Sequence, residues 1–393
     1  MVKKLVLHME GTSQGKKDYS TLLLLNESLL ELLTKYKNKI TEYYKNRLWD
    51  RYKKLSNEYE HIFYSPNSNT NISLYNPVSR SFFKLWEILH DFKEATFINS
   101  LDPLKCVFLA EGPGGFFEAF HKKRKEIGID TLDSYYGITL RSNNNKNIPD
   151  WKMQDLLPIN ISYGKDGTGN LYKLDNIHHF AKVVGYHSVD FITADGGFDF
   201  SSNFNNQEEQ SFKLILSEVI TTLHLQKMGG SFLLKIYDCF NNDTIYLIDV
   251  LKSCYNNLYF IKPLTSRPAN SERYILCEGF TGCQKSCIEN LEGILVQRNK
   301  TNIINIQQTK QINLSYDVVY NVVLYNMYYT IRQILYIQRT INYINFFRKQ
   351  TGDSVLNNIL EKHTLKSKKW CKKYLIPYKV DAEPLPQDFI DII

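Results

Sequence analysis

No run of about eighteen apolar residues, the length a helix needs to cross a bilayer, occurs in the 393-residue chain. Even the greasiest stretch, 317–347, is interrupted by Asn321, Asn326, Arg332 and Arg339, so no membrane-spanning helix is expected and the protein should be soluble. Cysteine is sparse: seven residues, from Cys106 to Cys371, form no even framework. No leader of charged, apolar and small residues precedes residue 30, and the two absences together imply a reducing, intracellular setting. That setting would be the host cytoplasm or virion for a viral protein and the nucleus for a cellular one. Internal repeats and long low-complexity blocks are missing too, which excludes solenoids. The Gly-rich turn at 112–115 lacks the Lys-Ser/Thr of a phosphate-binding P-loop, which argues against nucleotide hydrolysis.

What is present describes a globular protein with one large core. Hydrophobic residues make up 43%, charged residues 23% and aromatic residues 13%, so little of the chain should be disordered. A net charge of +7 suits a polyanionic partner. Asn, Ile, Lys and Tyr are abundant, the bias of AT-rich coding, which suggests a parasite or a large cytoplasmic DNA virus as the source.

Along the chain, Leu22, Leu25, Leu29, Leu30 and Leu33 recur at helical spacing before the mixed-charge aromatic stretch TEYYKNRLWDRYKK, which predicts a helical arm over 20–60. YSPNSNTNISLYNP at 64–77 reads as a loop. From 104 to 280, six short apolar runs (CVFLAE, SYYGITL, VDFITAD, SFLLKI, LYFIKP and RYILCEGF) alternate with helical stretches, the signature of an α/β sheet. The helix between the third and fourth runs carries Phe212, Ile215, Val219 and Leu223 on one face and is expected to end at Gly229-Gly230. Beyond 283 a polar linker should lead into a long Tyr- and Ile-rich helical region, closed by the basic cluster KSKKWCKKY. The chain thus divides into an arm (1–74), an α/β domain (75–282) and a helical extension (283–393).

The first apolar run leads directly into GPGG at 112–115 and then a helix. Glycine bares backbone amides where a side chain would block a ligand, so a nucleoside-containing cofactor could sit there. Four further motifs keep it company: SRSFFKL at 79–85, TADGGFDF at 193–200, LLKIYD at 233–238 and SRPANSERY at 266–274. With them the sequence resembles the FtsJ-like methyltransferases, and in particular the cap-specific mRNA nucleoside-2′-O-methyltransferases, over roughly 75–282. The resemblance implies a Rossmann-like class I methyltransferase sheet of seven strands, the last antiparallel, with helical N- and C-terminal extensions. It also implies S-adenosyl-L-methionine as cofactor, no metal, and the 5′ end of capped mRNA as substrate, with other capping or transcription components as further partners.

Matched motif by motif, the family's catalytic tetrad falls on Lys84, Asp195, Lys235 and Glu272. The cofactor would be surrounded by Ala110, Glu111, Gly112, Pro113, Gly114, Gly115 and Phe116, with Asn170 and Leu171 near its adenine and Asp195 facing its sulfonium. Asn170 stands where relatives often have an acid, and GITL at 137–140 offers no carboxylate for the cofactor ribose. Ser79, Asn205, Asn206, Gln207 and Asn270 match substrate-contacting motifs. The implied reaction is 2′-O-methylation of the first transcribed nucleotide. Alternatives are the second nucleotide, ribosomal RNA, or a catalytically silent RNA-binding scaffold with the same fold.

A ribose hydroxyl is a poor nucleophile near neutral pH, so it must be aligned and relieved of its proton during attack. Lys235 is the expected base, its pKa lowered by the charge of Lys84 and by partial burial. Other signals read more plainly. HKKRK at 121–125 suits a solvated helix face, and KSKKWCKKY at 366–374 suits an amphipathic helix or an RNA contact. Cys277, Cys283 and Cys287 lack a fourth ligand and fit no common zinc pattern. His178-His179 has no sequence partner, and the aromatic stripe of 316–347 suits core or docking.

Overall fold

The computed structural model describes residues 18–44, 47–65, 68–142, 148–152, 158–198, 205–300, 314–349 and 352–381. Helices α1 (Ser20–Tyr44) and α2 (Leu48–Leu55) form the arm, and α3 (Ser81–Asp91) leads into the sheet. Then follow β1 (Lys105–Leu109), α4 (Gly115–Glu126), β2 (Ser134–Ile138), β3 (Ile159–Ser162), α5 (Leu174–Val184), β4 (Val189–Ala194), α6 (Gln207–Leu225) and β5 (Gln226–Ile236). The chain continues through α7 (Asn242–Cys254), β6 (Tyr255–Ile261), β7 (Arg273–Phe280), α8 (Lys285–Lys300), α9 (Tyr316–Phe347) and α10 (Asp353–Lys373). The strands lie in the order β3-β2-β1-β4-β5-β7-β6. β7 runs antiparallel to both neighbours, as the resemblance implies.

Side chains alternate across the strands, as a period of two requires. Val107 and Leu109 of β1 enter the core shared with α5, α6 and α7. Cys106 and Phe108 enter the opposite core, shared with α3, α4 and α10. Helices cover both faces, which explains why the central strands read as nearly continuous apolar runs.

Four expectations need correction. A strand that the six apolar runs do not include, β3, pairs with β2; only Ile159 of it is buried, because it is an edge strand. α6 stops at Leu225 and Gly229-Gly230 lie inside β5, where the register against β4 jumps between Val189 and Phe191. A Cβ on Gly230 would stand 2.2 Å from Gln226 Nε2, so the pair serves that irregularity and not a helix cap. The expected polar linker holds α8, which buries Ile288, Leu291, Ile294 and Leu295. Within HKKRK, Arg124 is fully buried and pairs with Asp133 at 2.6 Å, donating also to the Asp102 carbonyl. That part of the basic run is core.

The two helical extensions pack on one another. Leu29, Leu33, Ile40 and Trp49 of the arm share a cluster with Ile337 and Ile341 of α9. Asn326 of α9 donates to Asn26 at 2.8 Å and to the Cys239 carbonyl at 2.9 Å. Lys37 pairs with Asp238 at 2.7 Å, both only 4% exposed. The Tyr-rich stripe of α9 is core: Tyr325 and Tyr329 lie under the Arg273 guanidinium. Trp370 of α10 is buried too, donating to Glu87. Among the described residues no helix is long and apolar enough to cross a membrane.

Candidate active site

In an open α/β sheet ligands gather at the carboxyl ends of the parallel strands. Here that edge begins with β1, which leaves the sheet through Ala110 in the left-handed region (φ 55°) and Glu111. Gly114 (φ 105°) then opens α4. A Cβ on Gly112 would stand 2.3 Å from the Pro149 carbonyl oxygen, and one on Gly115 2.2 Å from the hydroxyls of Ser79 and Ser81. The turn is thus a close-fitting cradle that tolerates hydrogen alone. Glu111 Oε1 accepts from the Thr193 hydroxyl, while its buried Oε2 has no partner among the described residues. Leu171 is buried and Asn170 half-buried in the loop before α5, whose Gly169 abuts the Thr139 carbonyl at the end of β2. All the expected cofactor residues therefore share one edge.

Beside them the structure brings the four tetrad positions together. Lys235, near the end of β5, donates to the Asp195 carbonyl at 2.7 Å and pairs with its carboxylate at 3.1 Å. Lys84 reaches in from α3 and donates to Glu272 Oε2 at 2.8 Å. Glu272 Oε1 accepts from Ser266 at 2.9 Å. Tyr274, opposite Lys235 in the β5–β7 register, donates to Asp195 at 2.9 Å. The antiparallel β7 makes this possible, because its start lies at the edge where β4 and β5 end.

The electrostatics correct one expectation. Burial does pull the Lys235 ammonium down, but Asp195, Tyr237 and Glu272 outweigh it and hold its pKa well above the ordinary lysine value. The like charge of Lys84 does not prevail as supposed, because Glu272 answers it directly. Burial also pushes up two carboxyls that sequence reasoning missed as electrostatic elements of the site: Glu218 to about 8 and Glu111 well above its usual range. Glu218 comes from α6, accepts from the Gly196 amide, and leaves a buried Oε1 without a partner among the described residues. The Asp195 carboxylate beside Lys235, with unanswered oxygens of the buried, largely protonated Glu111 and Glu218 close by, makes a polar donor set that fits a cationic, sulfonium-bearing cofactor.

The expected RNA residues separate into groups. Gln207 and Asn270 line one cavity of about 110 Å³ together with Lys37, Trp49, Lys53 and Arg267. Asn205 donates to Asn38 of α1 at 2.7 Å, and Asn206 is exposed at the start of α6. Ser79 lies elsewhere, against Gly115. The arm's contribution to this cavity was not foreseen, although WDRYKK was the visible signal. Arg267 is held there by Glu60 at 2.6 Å, and Glu60 is also near Arg80.

Known proteins share this arrangement in sequence. The FtsJ-like methyltransferase family matches residues 77–280. The cap-specific mRNA (nucleoside-2′-O-)-methyltransferase 1 of Trypanosoma brucei brucei is 34% identical over 186 residues, 46% of this chain and 48% of that protein. Its Xenopus laevis namesake is 34% identical over 203 residues, 48% of this chain and 22% of that protein. The chain therefore spans less than half the length of these curated relatives. A solved Plasmodium falciparum structure, described as a ribosomal RNA methyltransferase, aligns over 52% of this chain and 98% of that one, at 20% identity and a TM-score of 0.38. These organisms are cellular, and the expected viral source gains no support. Because the matched span holds every strand of the sheet, the glycine cradle and all four converging charges, the chain belongs to the FtsJ-like methyltransferase family.

Proposed function

We propose that the protein methylates the 2′-hydroxyl of the first transcribed nucleotide of capped mRNA. The observation that carries this reading is the meeting of Lys84, Asp195, Lys235 and Glu272 beside the glycine cradle. FtsJ-like methyltransferases use S-adenosyl-L-methionine, which supplies a methyl group already activated by its sulfonium charge. Residues 110–116, Asn170, Leu171 and Asp195 would hold it. The names of the two relatives above supply the cap as the substrate feature.

In this reading Asp195, fixed by Tyr274 and Lys235, presents its carboxylate to the incoming positive charge. Its hold on the Lys235 ammonium is then shared, and Lys235 loses its proton more readily than in the resting site. The neutral amine would take the ribose proton as the oxygen–carbon bond forms and the sulfur–carbon bond of the donor breaks, leaving a neutral thioether, while Lys84 and Glu272 fix the direction of the amine. Gln207 and Asn270, with Asn205, Asn206 and Ser79 as further contacts, would position the RNA. The division at 75 and 282 into arm, catalytic domain and extension belongs to the same proposal.

The test incubates purified protein with labelled methyl donor and short RNA, capped or uncapped, and maps the modified sugar. Label on the first nucleotide of capped RNA alone is the expected result. Label on the second nucleotide or on uncapped RNA overturns the substrate assignment, and failure to bind the cofactor indicates a silent scaffold. Lys235→Ala should abolish transfer while leaving cofactor binding largely intact.

A further inference from the structure

His178, for which the sequence offered no partner, does not stand alone. Its Nε2 lies 2.7 Å from Glu292 Oε1, and His224 Nε2 lies 2.8 Å from the same oxygen. The three side chains come from α5, α6 and α8, and their ligand atoms all fall within 4.8 Å of one another. We propose that His178, His224 and Glu292 bind one zinc-like divalent cation, which ties α8 to the methyltransferase sheet.

The chemistry of the donor set supports this. Two imidazoles and one carboxylate are a common zinc ligand set, with bonds of about 2.0–2.2 Å. A tetrahedral site with such bonds has ligand atoms about 3.3 Å apart. The observed nitrogen-to-oxygen separations are hydrogen-bonded ones and would open by about 0.5 Å, while the two nitrogens, within 4.8 Å of each other, would close towards the same spacing by side-chain rotation. Without a metal, both imidazoles must carry a proton on Nε2 to donate to one oxygen. A divalent ion replaces those two protons and answers the carboxylate charge. Burial opposes that charge, but hydrogen bonds from both imidazoles outweigh it and hold the Glu292 carboxyl below its usual range. The imidazole rings meet edge to face, 5.2 Å apart at 90°, and both Nε2 atoms face the same carboxylate oxygen. His224 and Glu292 are mostly buried while His178 is 43% exposed, which leaves a solvent-facing position for a water as fourth ligand.

The site is remote from methyl transfer. α6 is 19 residues long, about 28 Å; Gln207 at its start lines the substrate cavity, and His224 lies at its other end. The expected role is therefore structural. Three helices that otherwise meet through apolar contacts would gain a fixed crosspiece.

The full chain, stripped with chelator and desalted, would be titrated with Zn²⁺ by calorimetry. One equivalent binding at micromolar Kd or tighter is expected, with affinity at least tenfold weaker in His224→Ala and in the near-isosteric Glu292→Gln. Zn²⁺ should raise the melting temperature of the wild type and not of the variants. The metal-free variants must first match the wild type in circular dichroism; if His224→Ala does not, Glu292→Gln and His178→Asn decide. Cys254, Cys283 and Cys287 lie close enough to influence one another, so thiols are the competing ligands. Co²⁺ loading distinguishes them: bands without thiolate charge transfer support the proposal. Thiolate bands, loss of binding in Cys283→Ser, undiminished binding in Glu292→Gln, or no binding at all overturn it.

Discussion

Exchanging Glu272 for glutamine removes one negative charge from the centre of the tetrad while keeping the size of the side chain. Lys84 lies 2.8 Å from that charge, and the two side chains are 14% and 12% exposed. At an effective dielectric of about 20, unit charges at this separation attract by roughly 6 kcal/mol. Desolvation offsets most of this, and the net loss of stability on stranding Lys84 should be about 2–4 kcal/mol. The more informative effect falls on Lys235, because Glu272 is one of the charges that hold it protonated. Without that charge the pKa of Lys235 falls. A base works in its neutral form, so the rising limb of the kcat/KM profile should move to lower pH, by about one unit.

Lys84→Met perturbs the same limb in the opposite direction. It removes a like charge and frees Glu272 to act on Lys235, so the limb should rise. Turnover at the optimum should fall about 10²- to 10⁴-fold in both variants, since the amine is no longer aimed. Methyl transfer to capped RNA would be followed from pH 6 to 10 at saturating cofactor, where Lys235 gives up its proton more readily than in the resting site, with cofactor affinity measured in parallel. Turnover within threefold of wild type, or limbs that do not move in opposite senses, would refute the role given to Lys235.

Four other outcomes are expected. Gly112→Ala places a methyl 2.3 Å from a backbone oxygen and should weaken cofactor binding at least about tenfold by calorimetry. Lys37→Met strands Asp238, which among the described residues keeps only Arg273 at 3.5 Å as an ionic partner; urea unfolding should show a loss of about 3 kcal/mol, partly recovered with Asp238→Asn. Burial holds the His61 imidazole down at about 3 and that of His363 at about 4. Both stay neutral in the folded protein while the unfolded chain protonates near 6.5. Stability is therefore full above about pH 6.5 and falls towards pH 4, and melting curves of His363→Phe should be flatter by roughly 3 kcal/mol. Lys53→Ala, at the cavity proposed for RNA, should raise KM for capped RNA severalfold with kcat unchanged; an equal fall in kcat would count against a binding role.

Much of this architecture was legible because its signals are local. A buried parallel strand is a short apolar run, and the tetrad residues sit at or just beyond the ends of such runs or inside an adjacent motif. β3 escaped because an edge strand such as Ile159–Ser162 buries one residue and mixes in Asn160 and Ser162. α8 escaped because Gly293 and many polar residues dilute its four buried positions. Arg124 shows the limit of charge patterns: a run that is solvated at Lys125 is fully buried one residue earlier. Glu218 and the His178–His224–Glu292 cluster carry no local signature, since each exists only once separate helices have packed.

That difference between local and tertiary signals also separates chemistry from selection in this chain. Every tetrad residue and the glycine cradle lie within the matched span of 77–280. The cavity proposed for RNA does not: Lys37, Ile40, Trp49 and Lys53 come from the arm and Gln333 from α9, while Gln207, Arg267, Ala269 and Asn270 come from the family segment. A wall built half from outside the catalytic core can change its shape and charge without disturbing the tetrad. The buried Lys37–Asp238 pair fixes that wall to the loop following β5, the strand that carries Lys235. Position of the arm and aim of the amine are thus set by neighbouring residues of one strand and its loop, so a substitution that loosens the arm should be felt first in RNA affinity and only then in the rate of transfer.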